Sequence, residues 1–434
     1  MIVSDGITMK EIKGMGLVNH VITEKKMNQV FKARFGIGHT RYSTQGPSSL
    51  SNCQPMSTET TCGTIALAHN GQLINKDRLK KQVISQGIQL STDSDSEIIL
   101  KMIAIAREKY QQSNNWVTVI QEFMNQCSMA YSFVMMTHDG IYGVRDPYGN
   151  RPLCIGRLNT ESGNTTLGWI ISSESSPLLS ISAKYWREVQ PGEIVGIQIN
   201  QDGSQNFTSH VYHHRPKKAA LCIFEYVYFS RSDAILENRM VYSVRYRCGQ
   251  ILATKAPVDS ADIISCIPNS SVPAALGYSS QSGIPYVPVL TRNIYVGRTF
   301  IQPSNKIRQS SIKRKFGLLT ENIFEKKIVL IDDSIVRGNT ITLLIQALKA
   351  SGAKEVISFH LLSFSLLIKS YFHTAVNHWH YKRVSKGRNL DASFFNNELL
   401  YVYNEIGPYS RCVSTCPLSL LYGYRYSDTE RINY

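Results

Sequence analysis

From residue 1 to about 205, short apolar runs alternate with turn-forming residues. This pattern predicts a strand-rich, layered α+β domain with few helices. Ile-Ala-Leu-Ala-His-Asn-Gly (65–71) is an apolar strand running into an Asn-Gly turn, and 130–136 with 140–144 form a hairpin around His138-Asp139-Gly140. After Ser94, apolar residues at Ile98, Ile99, Met102, Ile103 and Ile105 lie mostly on one side of a helix. Ser94 and Glu97 have the spacing of a capping box at its start. Residues 203–218 are polar with scattered histidines and read as a connection between domains. The pattern then changes. A helix is expected over 240–253, and strand, small-residue turn and helix over 263–275. Ile-Val-Leu-Ile (328–331) is a short run rich in β-branched residues, as in a buried parallel strand. A helix over 340–348 follows, closed by Gly352. Beyond about 357 no clear periodicity survives. The expected division is 1–205, 206–356 and a tail of unclear structure, 357–434.

The densest chemistry sits at the end of the 328–331 strand. Asp332 and Asp333 follow it, then Ser334, Ile335, Val336, Arg337, Gly338, Asn339 and Thr340 at the start of a helix. Ligands of open α/β sheets lie outside the carboxyl ends of the strands. A small-residue loop at a helix N-terminus offers backbone N–H groups to a phosphate. Adjacent strand carboxylates point to opposite faces, so they suit ribose hydroxyls and a hard cation such as Mg²⁺ better than a shared proton. No Walker A pattern is present. The competing reading is an acidic turn with Gly338 there for geometry. Elsewhere, Arg41 could clamp a carboxylate, or be a surface arginine beside a strand end. Asn70 and Gly71 could donate to an oxyanion, or form a hairpin turn. Asp95 could hold an ammonium group while the helix it starts is capped. The turn holding Ser270 could cradle a pyrophosphate, or be a plain strand-to-helix turn.

At 434 residues the chain has room for two or three domains. Its 43% hydrophobic and 18% charged content is that of a globular protein. The net charge of +15 is spread out apart from Lys313-Arg314-Lys315, and no nucleic-acid-binding motif accompanies it. An anionic small substrate accounts for part of the excess equally well. Nine cysteines without a C-x₂-C pair are not a disulfide framework. The tract 361–368 is too short to span a bilayer, and a polar N-terminus gives no signal peptide, so a cytoplasmic protein without membrane or nucleic-acid partners is expected.

Val-Leu-Ile-Asp-Asp-Ser-Ile-Val-Arg-Gly-Asn-Thr resembles the phosphoribosyl pyrophosphate (PRPP) loop of type I phosphoribosyltransferases, in the version of the amidophosphoribosyltransferase family. The resemblance covers roughly residues 3–356. It implies a parallel-sheet transferase domain, with Asp332 and Asp333 on ribose and Mg²⁺, 334–340 on the 5′-phosphate, and Ser270 near Mg²⁺ in a pyrophosphate loop. Tyr295, Arg298, Phe300 and Ile301 would belong to a mobile lid that walls an ammonia channel, with a solvated basic loop as the alternative. His-Thr-Arg-Tyr-Ser-Thr, Ala-His-Asn-Gly, Ser-Asp-Ser-Glu and Arg-Asp-Pro-Tyr-Gly-Asn-Arg-Pro-Leu fall in the order seen in class II glutamine amidotransferases. That resemblance implies a four-layer αββα fold, glutamine held by Arg41 and Asp95, and an oxyanion hole of Asn70 and Gly71.

The family reaction would convert glutamine, or ammonia, and PRPP to 5-phosphoribosylamine, pyrophosphate and glutamate, the first committed step of purine synthesis. Purine nucleotides would be feedback inhibitors and the enzyme a homo-oligomer, dimer or tetramer. Two departures stand out. The family's nucleophile is a cysteine at residue 1 of the mature protein, whereas this chain opens Met-Ile-Val-Ser-Asp-Gly and has no cysteine before Cys53. Cys53 and Cys62 are internal. The chain is therefore expected to begin inside the glutaminase domain and to be limited to ammonia-dependent transfer or inactive. In many members the cysteine matching Cys222 ligates a [4Fe–4S] cluster; the alternative is a core cysteine in an apolar strand. Cys412 and Cys416 do not reproduce the family's other ligands, so an incomplete cluster site and a poorly packed tail are expected. His378 and His380 are a weak metal signal. The alternative function is a non-catalytic regulator that binds PRPP or purine nucleotides.

Overall fold

The computed structural model describes residues 1–30, 32–41, 48–110, 115–127, 129–161, 165–200, 202–212, 219–293, 315–335, 339–363 and 422–426. The chain forms two compact units, Met1–Leu221 and Cys222–Tyr434. None of the described helices is long and apolar enough to cross a membrane.

The first unit is built on a six-stranded antiparallel sheet. Its order is Gln205–Val211, Glu193–Ile199, Gly140–Arg145, Tyr131–Met136, Gly63–Gly71 and Met56–Thr60. Strand alternation divides its side chains between two cores. Ile65, Leu67, Phe133 and Met135 pack against Leu79, Val83, Ile99, Ile103, Val119 and Phe123 of the helices Lys76–Ser85, Asp95–Lys109 and Trp116–Gln126. Ala66, Ala68 and Met136 face the other way, onto Ile2 and Ile37 of a small three-stranded sheet. A second small sheet packs Ile155 and Trp169 against Val195 and Phe207. Leu178 of the short helix Ser176–Ser180 lies outside it. Helices, large sheet, small sheets and short helix are the four layers expected.

Three local expectations change. Gly63–Gly71 stays paired to its last residue, Asn70 opposite Ser132 and Gly71 opposite Tyr131, so Asn70-Gly71 is a strand end and not a hairpin turn. A Cβ at Gly71, where φ is +134°, would strike the Ala130 carbonyl. The capping box does not form. Ser94 Oγ accepts from Ser96 N–H, while Glu97 turns back to accept from the N–H groups of Ser91 and Thr92. The connection expected from 203 opens instead with Gln205–Val211, held in the first unit by seven registered pairs.

In the second unit, Ile263–Cys266, Lys327–Ile335 and Glu355–Ser363 are parallel, and Tyr422–Tyr426 adds antiparallel to Glu355–Ser363. Both faces are covered, which is why these strands read as continuous apolar runs. Val329, Ile331 and Phe359 pack with Leu252 and Tyr278 of the helices Val241–Lys255 and Val272–Ser282. Ile328, Leu330 and Val356 pack with Leu344, Ile345 and Leu348 of the helix Asn339–Ala350. The proposed break at 357 therefore falls inside a core strand, whose hydrophobic pairing carries the transferase-like sheet past it. The segment around Cys222 is not a strand either. It leads into the π-helix Glu225–Phe229, and Cys222 is half-buried.

Candidate functional site

At the carboxyl end of Lys327–Ile335 the two neighbouring carboxylates diverge, as strand alternation requires. Asp333 is buried and accepts the Ser270 hydroxyl at 2.5 Å and the Ser334 hydroxyl at 2.6 Å. Asp332 Oδ1 accepts the Asp333 N–H at 2.9 Å and the Ser271 hydroxyl at 3.4 Å. Ser271 precedes the helix Val272–Ser282, and its hydroxyl serves Asp332 in place of a cap. Burial pushes the Asp332 carboxyl well above the ordinary range, and the charge of Asp333 adds to it. Burial also raises Asp333, against the pull of the Ser270 and Ser334 hydroxyls and of Arg245. A buried and a half-buried acid beside a serine hydroxyl form an all-oxygen donor set that suits a hard divalent cation, which would offset their repulsion.

Two contributors to this site carried no role in the sequence reading. Arg245 is buried and ties down the preceding segment, donating to the carbonyls of Tyr226 and Ser230 and to Ser232 Oγ. An arginine on the buried side of an apolar helix was its only signal. His360, opposite Asp332 in register, is fully buried with Nδ1 3.7 Å from Asp332 Oδ2. Ser334 and Ile335, expected in the loop, instead extend the strand Lys327–Ile335 by pairing with Leu362 and Ser363, and the backbones of Asn339 and Thr340 start the helix. Val336, Arg337, Gly338, Tyr295, Arg298, Phe300, Ile301, the Lys313 cluster, His378, His380, Cys412 and Cys416 lie outside the described residues. Among the described residues no group of three or more His, Cys, Asp or Glu side chains is placed to hold a metal.

In the first unit the structure gathers Arg41, Asn70, Gly71 and Asp95 around two histidines. His39 Nε2 lies 3.1 Å from Asn70 Oδ1. Burial lowers His39, and the nearby Arg41 charge adds to that. His69 is buried beside them, with Nδ1 3.2 Å from Ser96 Oγ and 3.9 Å from Asp95 Oδ1. Asp95 Oδ2 accepts the Leu73 N–H at 3.1 Å. The sequence motifs contain both histidines, but only folding reveals that they join the oxyanion candidate to the ammonium-binding candidate.

Burial pushes His69 down to about 4, although the Asp95 charge pulls the other way. Its folded value lies below the unfolded one. The stability it contributes is therefore fully present above about 6.5 and is lost as pH falls through about 4. Between pH 7 and pH 4 the expected loss is about 3 kcal/mol. His69→Gln cannot take up that proton, so urea denaturation at pH 7, 5.5 and 4 should show a shallower acid loss in the variant. Asp146, pushed up to about 6 by burial, works in the opposite direction but is present in both proteins and cancels in the comparison. Equal acid slopes would refute the assignment.

An N-terminal layered unit with an arginine, an asparagine and an aspartate gathered around two histidines, joined to a parallel-sheet unit with an acidic strand end, has matching family models in that order. Residues 39–180 match the glutamine amidotransferase domain and 249–366 the phosphoribosyl transferase domain. The second match runs beyond 356, in agreement with the unbroken Glu355–Ser363 strand. The class is thus a glutamine amidotransferase fused to a phosphoribosyltransferase. The human amidophosphoribosyltransferase is 52% identical over 368 residues, covering 82% of this chain and 70% of its own length. The Methanocaldococcus jannaschii enzyme of that name is 39% identical over 362 residues, covering 81% and 74%. Among solved structures, the B. subtilis glutamine PRPP amidotransferase complexed with ADP and GMP superposes with a TM-score of 0.69 at 33% identity, covering 82% and 73%. A structure described as the allosteric regulatory enzyme of purine biosynthesis gives 0.70 at 34%, covering 82% and 72%. This chain belongs to the amidophosphoribosyltransferase family.

Proposed function

We propose that the second unit of this chain binds Mg²⁺-bound PRPP at the Asp332–Asp333 strand end and transfers an amino group to C1 of its ribose. The observation that carries this reading is the pair of neighbouring carboxylates, each held by a serine hydroxyl from the turn before Val272–Ser282. Asp332 and Asp333 would hold the ribose hydroxyls and Mg²⁺, with Ser270 beside them. Backbone N–H groups of 334–340 would hold the 5′-phosphate at the helix N-terminus, and the Ser270 turn the pyrophosphate. When bound, Mg²⁺ neutralises the charge of the leaving pyrophosphate. Ammonia nitrogen bonds to C1 as the C1–O bond to pyrophosphate breaks, and the surplus proton leaves to water. No nucleophile from this chain is required. Its residues act by position and by field.

In the first unit, Arg41 and Asp95 would hold the carboxylate and ammonium of glutamine. Asn70 and Gly71 would donate to the oxyanion. The approach of His39 Nε2 to Asn70 Oδ1 supports this, because in the Nε2–H tautomer the ring would donate to that oxygen and leave the amide N–H₂ as the free donor. Purine nucleotides are proposed as further ligands, as ADP and GMP are for the B. subtilis relative. The two catalytic halves are assigned to the units ending and starting at 221 and 222.

Titration calorimetry with Mg·PRPP, together with assays for 5-phosphoribosylamine from PRPP and either ammonia or glutamine, tests the reading. Uptake with ammonia-driven turnover is expected. Uptake without any turnover would favour the regulator, and no uptake by folded protein would overturn the site.

A further inference from the structure

The two oxygens of Asp332 have different surroundings. Oδ1 accepts from the Asp333 backbone and from Ser271. Oδ2 faces the imidazole of His360, 3.7 Å away across the parallel pair. His360 is fully buried, and among the described residues its Nδ1 has no hydrogen-bond partner. Its other nitrogen, Nε2, lies 3.1 Å from the buried hydroxyl of Ser358, two residues earlier on the same face. A buried nitrogen left without a partner costs stability, so its retention next to a site carboxylate points to a use.

We infer that His360 is a positioning residue for Asp332, donating from Nδ1–H to Oδ2 when the cation and PRPP are bound. The inference rests on the PRPP reading above. Ser358 fixes the tautomer: its hydroxyl donates to Nε2, which leaves the ring proton on Nδ1, aimed at the carboxylate. The gap of 3.7 Å is slightly longer than a hydrogen bond, and a small turn of the Asp332 carboxylate closes it. Second-sphere donors of this kind hold a ligating carboxylate in one orientation, and removing one typically costs 10- to 100-fold in affinity. Neither Asp333 nor Ser271 can substitute, because both address Oδ1. His360 touches no substrate in this arrangement and acts only through Asp332.

The test separates positioning from packing by sign. His360→Leu fills the same buried face with an apolar side chain. Combined with Ser358→Ala, which removes the hydroxyl it would otherwise orphan, it is expected to leave the thermal midpoint of the ligand-free protein unchanged or raised, since the unpartnered nitrogen disappears with no buried polar group left behind. It is also expected to weaken Mg·PRPP uptake about tenfold in titration calorimetry. A merely structural histidine would lower midpoint and affinity together. His360→Asn keeps a donor near the Nδ1 position and should bind within about threefold of the parent. Ser358→Ala releases the tautomer and should weaken binding by a similar small factor. His360→Leu binding within twofold of a parent that binds overturns the inference and leaves the PRPP reading standing. So does His360→Asn binding as weakly as His360→Leu, or, should His360→Leu not fold, Ser358→Ala binding as the parent does. A parent that takes up no Mg·PRPP overturns both.

Discussion

Asp333→Asn is expected to reduce Mg·PRPP affinity by at least about a hundredfold, on the order of 3 kcal/mol, and to leave the ligand-free protein as stable as before or more so. Asp332→Asn should behave in the same way. The physical reason is that the two acids are held for a charge that arrives with the substrate. Without it, burial works against both carboxylates, and the charge of Asp333 works against Asp332 as well. Asparagine keeps the shape and can still accept from Ser270 or from the Asp333 backbone, so packing should survive. It cannot supply negative charge to a cation. Calorimetry gives the affinity and urea denaturation the stability. Asparagine variants that bind as the parent does would show that this strand end is a turn and not a site. Variants that unfold would show that the carboxylates hold the fold together.

The second large effect is expected at a helix crossing that itself carries no charge. Gly277→Ala should cost about 3 kcal/mol and abolish PRPP uptake with it. Gly277 in Val272–Ser282 and Gly249 in Val241–Lys255 let the two helices cross backbone to backbone. A methyl on Gly277 would press into the Tyr246 carbonyl oxygen, and one on Gly249 into the Ala274 carbonyl oxygen. Neither backbone atom can turn aside as a side chain can, so one helix has to shift. Alanine's better helix propensity returns at most about 1 kcal/mol. The helix that moves begins just after Ser270 and Ser271, so both serines leave the carboxylates they serve. Gly249→Ala should do the same, and the double variant should cost less than the sum, since both relieve one crossing. Single alanine variants with unchanged midpoints in urea and unchanged PRPP uptake would mean that the crossing is loose.

Much of the second unit is readable in one dimension. Strand, acidic pair, loop and helix follow one another without interruption from 328 to 350, so every rule needed to recognise them acts between near neighbours. The same holds for the left-handed Gly352, at φ +92°, just after the helix Asn339–Ala350. Where prediction strayed, a tertiary partner had outbid a local one. Glu97 left the cap for the N–H groups of Ser91 and Thr92. Asn70-Gly71, a strong turn signal by itself, was drawn out straight by pairing with Tyr131 and Ser132. The strand Gln205–Val211 was recruited by its neighbour, although its own residues are polar or half-exposed.

The amino-acid sequence by itself determined the two kinds of domain, their order, and which residues carry oxygen and charge toward a ligand. Periodicity, turn chemistry and loop composition are local properties, and they survive reading one residue after another. Only the tertiary structure decided what those charges experience. It brought Ser270 to Asp333 across 63 residues and His39 to Asn70 across 31, and it buried His360 opposite Asp332. Desolvation and hydrogen-bond satisfaction depend on what surrounds a group in three dimensions, and the chain's linear order does not contain that distance.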